Sequence, residues 1–220
     1  GATLYWDGDG SAAGNNASTG ANLGGSGAWS GTVSNWWDTN VAMLQVWTNG
    51  SDAVFSGTPG AITASAVSAN SLAFKTNGYT LNSGTLTMLG AASFHVDRNV
   101  TATIRSTIAG ANTLSKLGPG TLILSNSANI NTANTVAGGW RIEGGGTLHI
   151  IADGSLGAPL PDSARNTVTD IQLNQSTIQA GATLEVNINR RTKIGTNFST
   201  NRGDAIIDTH GHAVTWYGSL

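Results

Sequence analysis

The sequence has no cysteine, only four prolines, and charged residues make up just 10% of its 220 positions. Without cysteine there are no disulfides, no thiolate zinc sites and no cysteine nucleophile. So little charge beside 30 glycines is incompatible with a bundle of amphipathic helices. The basic residues number ten and are scattered, the densest group being Arg190, Arg191 and Lys193. A phosphate track needs a basic stripe, so nucleic acid is excluded as a partner. No apolar run approaches the roughly 20 residues that a membrane helix requires, so no membrane span is expected. Glutamate is scarce too, at Glu143 and Glu185 alone. The chain opens on Gly1 with no leader peptide, which suggests a piece excised from a larger protein.

What the sequence does contain is glycine, threonine, serine and asparagine, together nearly half of the chain, with a hydrophobic fraction of 39% and a net charge of -2. Disorder usually pairs low hydrophobicity with high charge, so this composition predicts an ordered all-β chain. Short runs of threonine and β-branched residues sit between glycine and asparagine punctuation: Thr85 to Met88, Thr121 to Leu124, Thr147 to Ile151 and Thr183 to Val186. Such residues suit a pleated surface, and glycine permits the bends between strands. Further strands are expected at Ala53 to Phe55, Leu72 to Phe74, Phe94 to Val96, Val100 to Ile104, Ile171 to Leu173, Ala205 to Asp208 and Val214 to Trp216. Pro159 to Ala164 and Asn187 to Asn201 read as loops.

Leu86, Leu122, Leu148 and Leu184 occupy matching places in these runs, at irregular separations. Irregular spacing disfavours a propeller of uniform blades and fits a solenoid whose coils carry loops of different length. About ten coils of three short strands, at roughly 4.8 Å each, predict a rod of roughly 48 Å. The first fifty residues differ, holding Trp6, Trp29, Trp36, Trp37 and Trp47, five of the seven tryptophans. A solenoid end exposes strand edges and an open core. Residues 1–50 therefore read as a cap with a long loop and 51–220 as coils, within one domain.

The segment from Gly110 to Gly157, GANTLSKLGPGTLILSNSANINTANTVAGGWRIEGGGTLHIIADGSLG, resembles the autotransporter-associated β-strand repeat. The YWDGDG, NWW, SDAVF and NGYTLNSGTLTM segments before it, and IIDTHGHAVTWYG after it, are in the same style. This resemblance implies a right-handed parallel β-helix on a secreted or surface-exposed bacterial protein. Two uses of such helices are known: the passenger stalk of an autotransporter adhesin, and carbohydrate-binding modules attached to xylan-degrading enzymes. The second is the expectation here. It is a non-catalytic, cofactor-free monomer that binds plant cell-wall polysaccharide, xylan for preference, beside a glycoside hydrolase domain. A polysaccharide lyase or hydrolase is the third reading.

Sugar binding needs a rigid, exposed aromatic ring. Adjacent strand residues face opposite ways, so one of Trp36 and Trp37 should point outward, and Trp37 is the candidate. Trp140 replaces the threonine usual in the repeat, although its alternation with Ile142 argues for an inward ring. Trp216 and Tyr217 are a second adjacent pair, with Tyr217 the better outward candidate. The binding residues expected are thus Trp37, Trp140, Tyr217 and Trp216. Asp204, Asp208, His210 and His212 are the nearest approach to an acid–base cluster, but HGH reads as a turn, while His95 and His149 read as solvated strand residues. Asp7-Gly8-Asp9-Gly10 begins like a calcium loop but has Ser18 where an EF-hand needs its bidentate glutamate, so no metal is expected. Arg202-Gly203-Asp204 reads as a chance tripeptide.

Overall fold

The computed structural model describes residues 1–126, 139–195 and 204–220, and the backbone alone at 135 and 136. It is all-β, with a single 3-10 turn at Asp153–Leu156 among the described residues. Threonine-rich runs alternate buried and half-buried positions, as in Thr121–Leu124 and Thr147–Ile150, where each leucine or isoleucine faces inward and its neighbour outward.

The strands form parallel ladders. The first contains Thr3–Trp6, Ser51–Phe55, the later half of Val67–Phe74, the later half of Thr85–Val96, Leu114–Leu117, Trp140–Ile142, Ile171–Leu173 and Thr192–Ile194. The second contains Gly27–Trp29, Ala61–Ala64, Thr80–Asn82, Thr101–Ile104, Thr121–Leu124, Thr147–Ile150, Thr177–Ala180 and Ile206–Asp208. The third joins the early halves of Val67–Phe74 and Thr85–Val96 to Thr107–Gly110 and Thr135–Val136, and a separate pair links Leu184–Val186 to Val214–Trp216. The chain visits the ladders in turn and returns one rung further on, the order expected of a β-solenoid. The two long strands bend between ladders, one of them at Gly90, whose φ of 63° suits glycine.

Register explains the irregular leucine spacing. Leu122 pairs with Leu148 in the second ladder, whereas Leu86 pairs with Ile108 and Leu184 with Val214 elsewhere. The same Gly-Thr-Leu wording thus opens strands on different ladders, and the distance between two copies is not always one coil. Among the described residues the first ladder has eight parallel rungs, against about ten coils expected. Loops such as Ala158 to Thr169, between the 3-10 turn and the next strand, consume the difference. The expected loop from Asn187 to Asn201 contains the strand Thr192–Ile194, paired with Ile171–Leu173; its residues 196–201 lie outside the described residues.

Residues 1–50 are only partly a cap. Thr3–Trp6 is the first rung, parallel to Ser51–Phe55, and Gly27–Trp29 is a rung of the second ladder. The capping element is the antiparallel hairpin of Ser34–Asp38 and Met43–Val46, laid against the outer edge of Thr3–Trp6. It brings Trp36 into a cluster with Trp6, Trp29 and Trp47, at ring-centroid distances of 5.2, 5.0 and 4.5 Å. Phe55 continues this cluster into the coils, stacking on Phe74 at 4.9 Å. One buried hydrophobic cluster runs from Leu4 to Leu184.

Candidate functional site

The four aromatic candidates part company in the structure. Trp140 is 1% exposed, in register with the buried Leu114 and Ile171. Its ring stacks on Phe94 at 5.6 Å, and Nε1 donates to the Leu156 carbonyl at 3.2 Å. It is core, as its alternation with Ile142 implied, so its outward placement is corrected. Trp37 lies on the side of its strand opposite Trp36, yet is only 8% exposed. Its register neighbours are Leu44 and Tyr5, with Val54 next, so the hairpin closes an apolar row over this face. Trp37 therefore presents no open stacking platform. Trp216 is half-buried against the core, and its Nε1 is buried without a partner. Tyr217 alone is open, at 55% exposure, as its position predicted.

The outer face of the second ladder is mostly polar. On the second ladder Thr101, Thr121, Thr147 and Thr177 lie in one register row, followed by Ile206. A parallel row runs Thr103, Ile123, His149, Gln179 and Asp208. Its last three members form a hydrogen-bonded line. Gln179 Nε2 donates to Asp208 Oδ2 at 2.8 Å, and the Asp208 carboxylate also accepts from the His210 amide at 2.8 Å. These donors, Gln179 first, hold the Asp208 carboxyl below its ordinary value. Because that carboxylate only accepts, the Gln179 amide must turn its oxygen to His149, whose Nδ1 donates at 2.7 Å. The His210 ring centroid lies 6.4 Å from that of His149 and from that of His212.

His149 is thus a member of the C-terminal polar cluster rather than an isolated strand residue. The sequence signal was its outward parity in a Gly-Thr-Leu strand; what was missing was the register that places it beside Gln179. Among the described residues no group of three or more His, Asp or Glu could hold a metal ion. Asp204 is exposed and stands apart from this line, near Gln175 and Ser176. Glu143 is taken by Arg141 at 3.5 Å on the first ladder, while Glu185 belongs to a strand of another pair. The two glutamates do not face one another as an acid pair. Arg202 and Gly203 lie outside the described residues.

Two buried basic residues escaped the sequence reading. Lys116 takes an inward place in the first ladder between Phe94 and Ile142. Its Nζ donates to the carbonyls of Gly118 and Gly120 at 2.7 and 2.6 Å, and burial lowers its pKa to about 8. Arg190, fully buried, reaches Asp153 and Asp170, both at 2.7 Å. Burial nonetheless pushes the Asp170 carboxyl up, against the pull of that guanidinium. Neither feature faces an open surface: Lys116 fastens the turn that follows its own strand, and Arg190 ties segments of different coils.

A stretch of 160 residues, 70% of the chain, is 35% identical to the Adhesin BmaC autotransporter of Brucella suis biovar 1 (strain 1330). The chain resembles part of an autotransporter adhesin. It spans 4% of that adhesin's length. No family profile matches the chain, and no solved structure matches it. Among the described residues no helix is long and apolar enough to cross a membrane.

Proposed function

We propose that this chain is a structural passenger segment of a secreted or cell-surface bacterial autotransporter adhesin. In this reading residues 1–220 form one unit, a right-handed parallel β-helix that extends the protein away from the cell. Right-handed passage between parallel strands of one sheet is strongly favoured by strand twist. The observation that carries the proposal is the 35% identity to the Brucella adhesin over 70% of the chain. The parallel rungs support it, because stacking each rung on the next lengthens a rod without requiring a binding pocket. The polar outer rows keep such a rod hydrated. The final rung adds Ile194 and Ile206 at 50% and 56% exposure, the kind of surface on which a further rung can stack. The segment acts as a monomer and is not catalytic.

The polysaccharide-module reading retains one specific feature, the exposed ring of Tyr217 beside half-buried Trp216. Nothing favours xylan over another glycan or calls for an attached glycoside hydrolase. Affinity electrophoresis in gels containing xylan, mannan, β-glucan or pectin separates the readings. Unchanged migration in all four is expected of a stalk. Retardation in any of them, relieved by Tyr217→Ala, would replace the stalk with a binding module. Release of reducing ends or unsaturated products would instead revive the lyase or hydrolase.

A further inference from the structure

The loop that leaves the first rung carries oxygen atoms that the fold leaves unsatisfied. Asp7 is fully buried, and its Oδ2 accepts from Asn15 Nδ2 at 2.6 Å. Its Oδ1 is buried with no hydrogen-bond partner. The Oδ1 of Asn15 is buried and unpartnered as well. The carboxylate of Asp9 interacts with that of Asp7, the Asp9 main-chain amide also faces the Asp7 carboxylate, and among the described residues no basic side chain pairs with either carboxylate. Asp9 is itself held by the Ser11 amide, which donates to its Oδ1 at 2.7 Å.

The backbone holds this arrangement in place. Asp7 bridges Gly24, and the Gly8 amide donates to the Gly24 carbonyl at 2.7 Å. Tyr79, which feels the charge of Asp7, is engaged elsewhere, its hydroxyl donating to the Ser56 carbonyl at 2.5 Å. A buried carboxylate oxygen without a partner is costly, and a second carboxylate beside it raises that cost. A cation bound by both would remove both penalties.

We propose that Asp7, Asp9 and Asn15 form a binding site for one divalent cation of the calcium class. The donors are all oxygen, which selects a hard ion over zinc or copper. Two carboxylates and a carboxamide leave room for the water and main-chain oxygens with which calcium completes six to eight ligands. The site is not an EF-hand, since its ligands lie within nine residues and no glutamate closes the loop. Its effect is to tie the glycine-rich loop to the strand that carries Trp6, at the capped end of the core.

Terbium luminescence and thermal unfolding of the chelator-stripped protein test the site. Terbium emission sensitised through Trp6, the neighbour of Asp7, is expected, together with its displacement by calcium. The melting temperature should rise by roughly 5 °C or more at a hundredfold excess of free calcium over its Kd. Asp9→Asn, at an exposed position, should abolish both responses while the protein stays folded, and Asn15→Ala should weaken both. Absence of emission and of any calcium shift in the unsubstituted protein would overturn the proposal. Stabilisation by acid without a calcium response would assign the unpaired oxygen to a shared proton and overturn it too. Responses surviving in Asp9→Asn would refute this ligand set.

Discussion

Trp140 and Tyr217 show how much a single position decides. Both are large aromatic rings near a strand, yet one is a core stack on Phe94 and the other stands in solvent. Trp140→Ala should cost about 3–5 kcal/mol in denaturant unfolding, whereas Tyr217→Ala should stay within about 0.5 kcal/mol. Lys116 makes a prediction in pH. Its pKa falls from 10.5 in the unfolded chain to about 8 in the fold, because burial disfavours the ammonium. Between those values the unfolded chain binds the extra proton, so this group adds stability as pH rises from 8 to 10.5 and opposes folding fully below 8. The size of the effect is about 3 kcal/mol at most. Denaturant midpoints measured across that window should climb in the native protein relative to Lys116→Met. Parallel curves for the two would refute the assignment.

At the scale of elements, the fold depends on turns that leave no room for a side chain and on ties between coils. A Cβ on Gly146 would collide with Lys116 Nζ and with the carbonyls of Gly118 and Gly120. Gly146→Ala should therefore destabilise by about 1–3 kcal/mol, read from the same unfolding curves. Arg190 ties the 3-10 turn Asp153–Leu156 to Asp170, at the end of the loop that precedes Ile171–Leu173. Removing one partner leaves the other charge buried and alone, so Arg190→Met should cost about 3–5 kcal/mol. Replacing Arg190 and Asp170 together by apolar residues should recover part of that loss. A double variant no better than Arg190→Met alone would show that the tie acts through its shape rather than its charge.

At the scale of the molecule, the two ends are unequal. The hairpin Ser34–Asp38 and Met43–Val46 covers the edge of Thr3–Trp6 and carries Trp36 into the aromatic cluster. Shortening it to a Gly-Ser turn between Ser34 and Val46 uncovers that edge and opens the core. Unpaired strand edges recruit other chains. Light scattering after size exclusion should then find dimers or larger species, against the monomer expected of the intact chain; no change in mass on shortening would show that the hairpin is not needed as a cover.

The strands at Thr85, Thr121, Thr147 and Thr183 were legible in the sequence because alternation and glycine punctuation are local properties. So was the burial of most N-terminal tryptophans, since a solenoid end must be covered. Even the inward turn of Trp140 could be read from its parity with Ile142. The rest depended on which coil stacks on which. Variable loops make sequence distance a poor guide to rung number, so repeated Gly-Thr-Leu segments on different ladders look alike. That is why spacing alone suggests about ten coils where the described residues form eight rungs. It is also why His149 was not placed beside Gln179 and Asp208. The cover over Trp37 came from a hairpin whose antiparallel return no repeat pattern announces. Lys116 and Arg190 escaped notice because a charged residue in the core is recognised only by its partners, and theirs are turn carbonyls or carboxylates up to 37 positions away. Local chemistry written in the sequence determined the strands and their parity. The tertiary structure decided their register, and with it which side chains meet, because loops of unequal length sever sequence spacing from position along the stack.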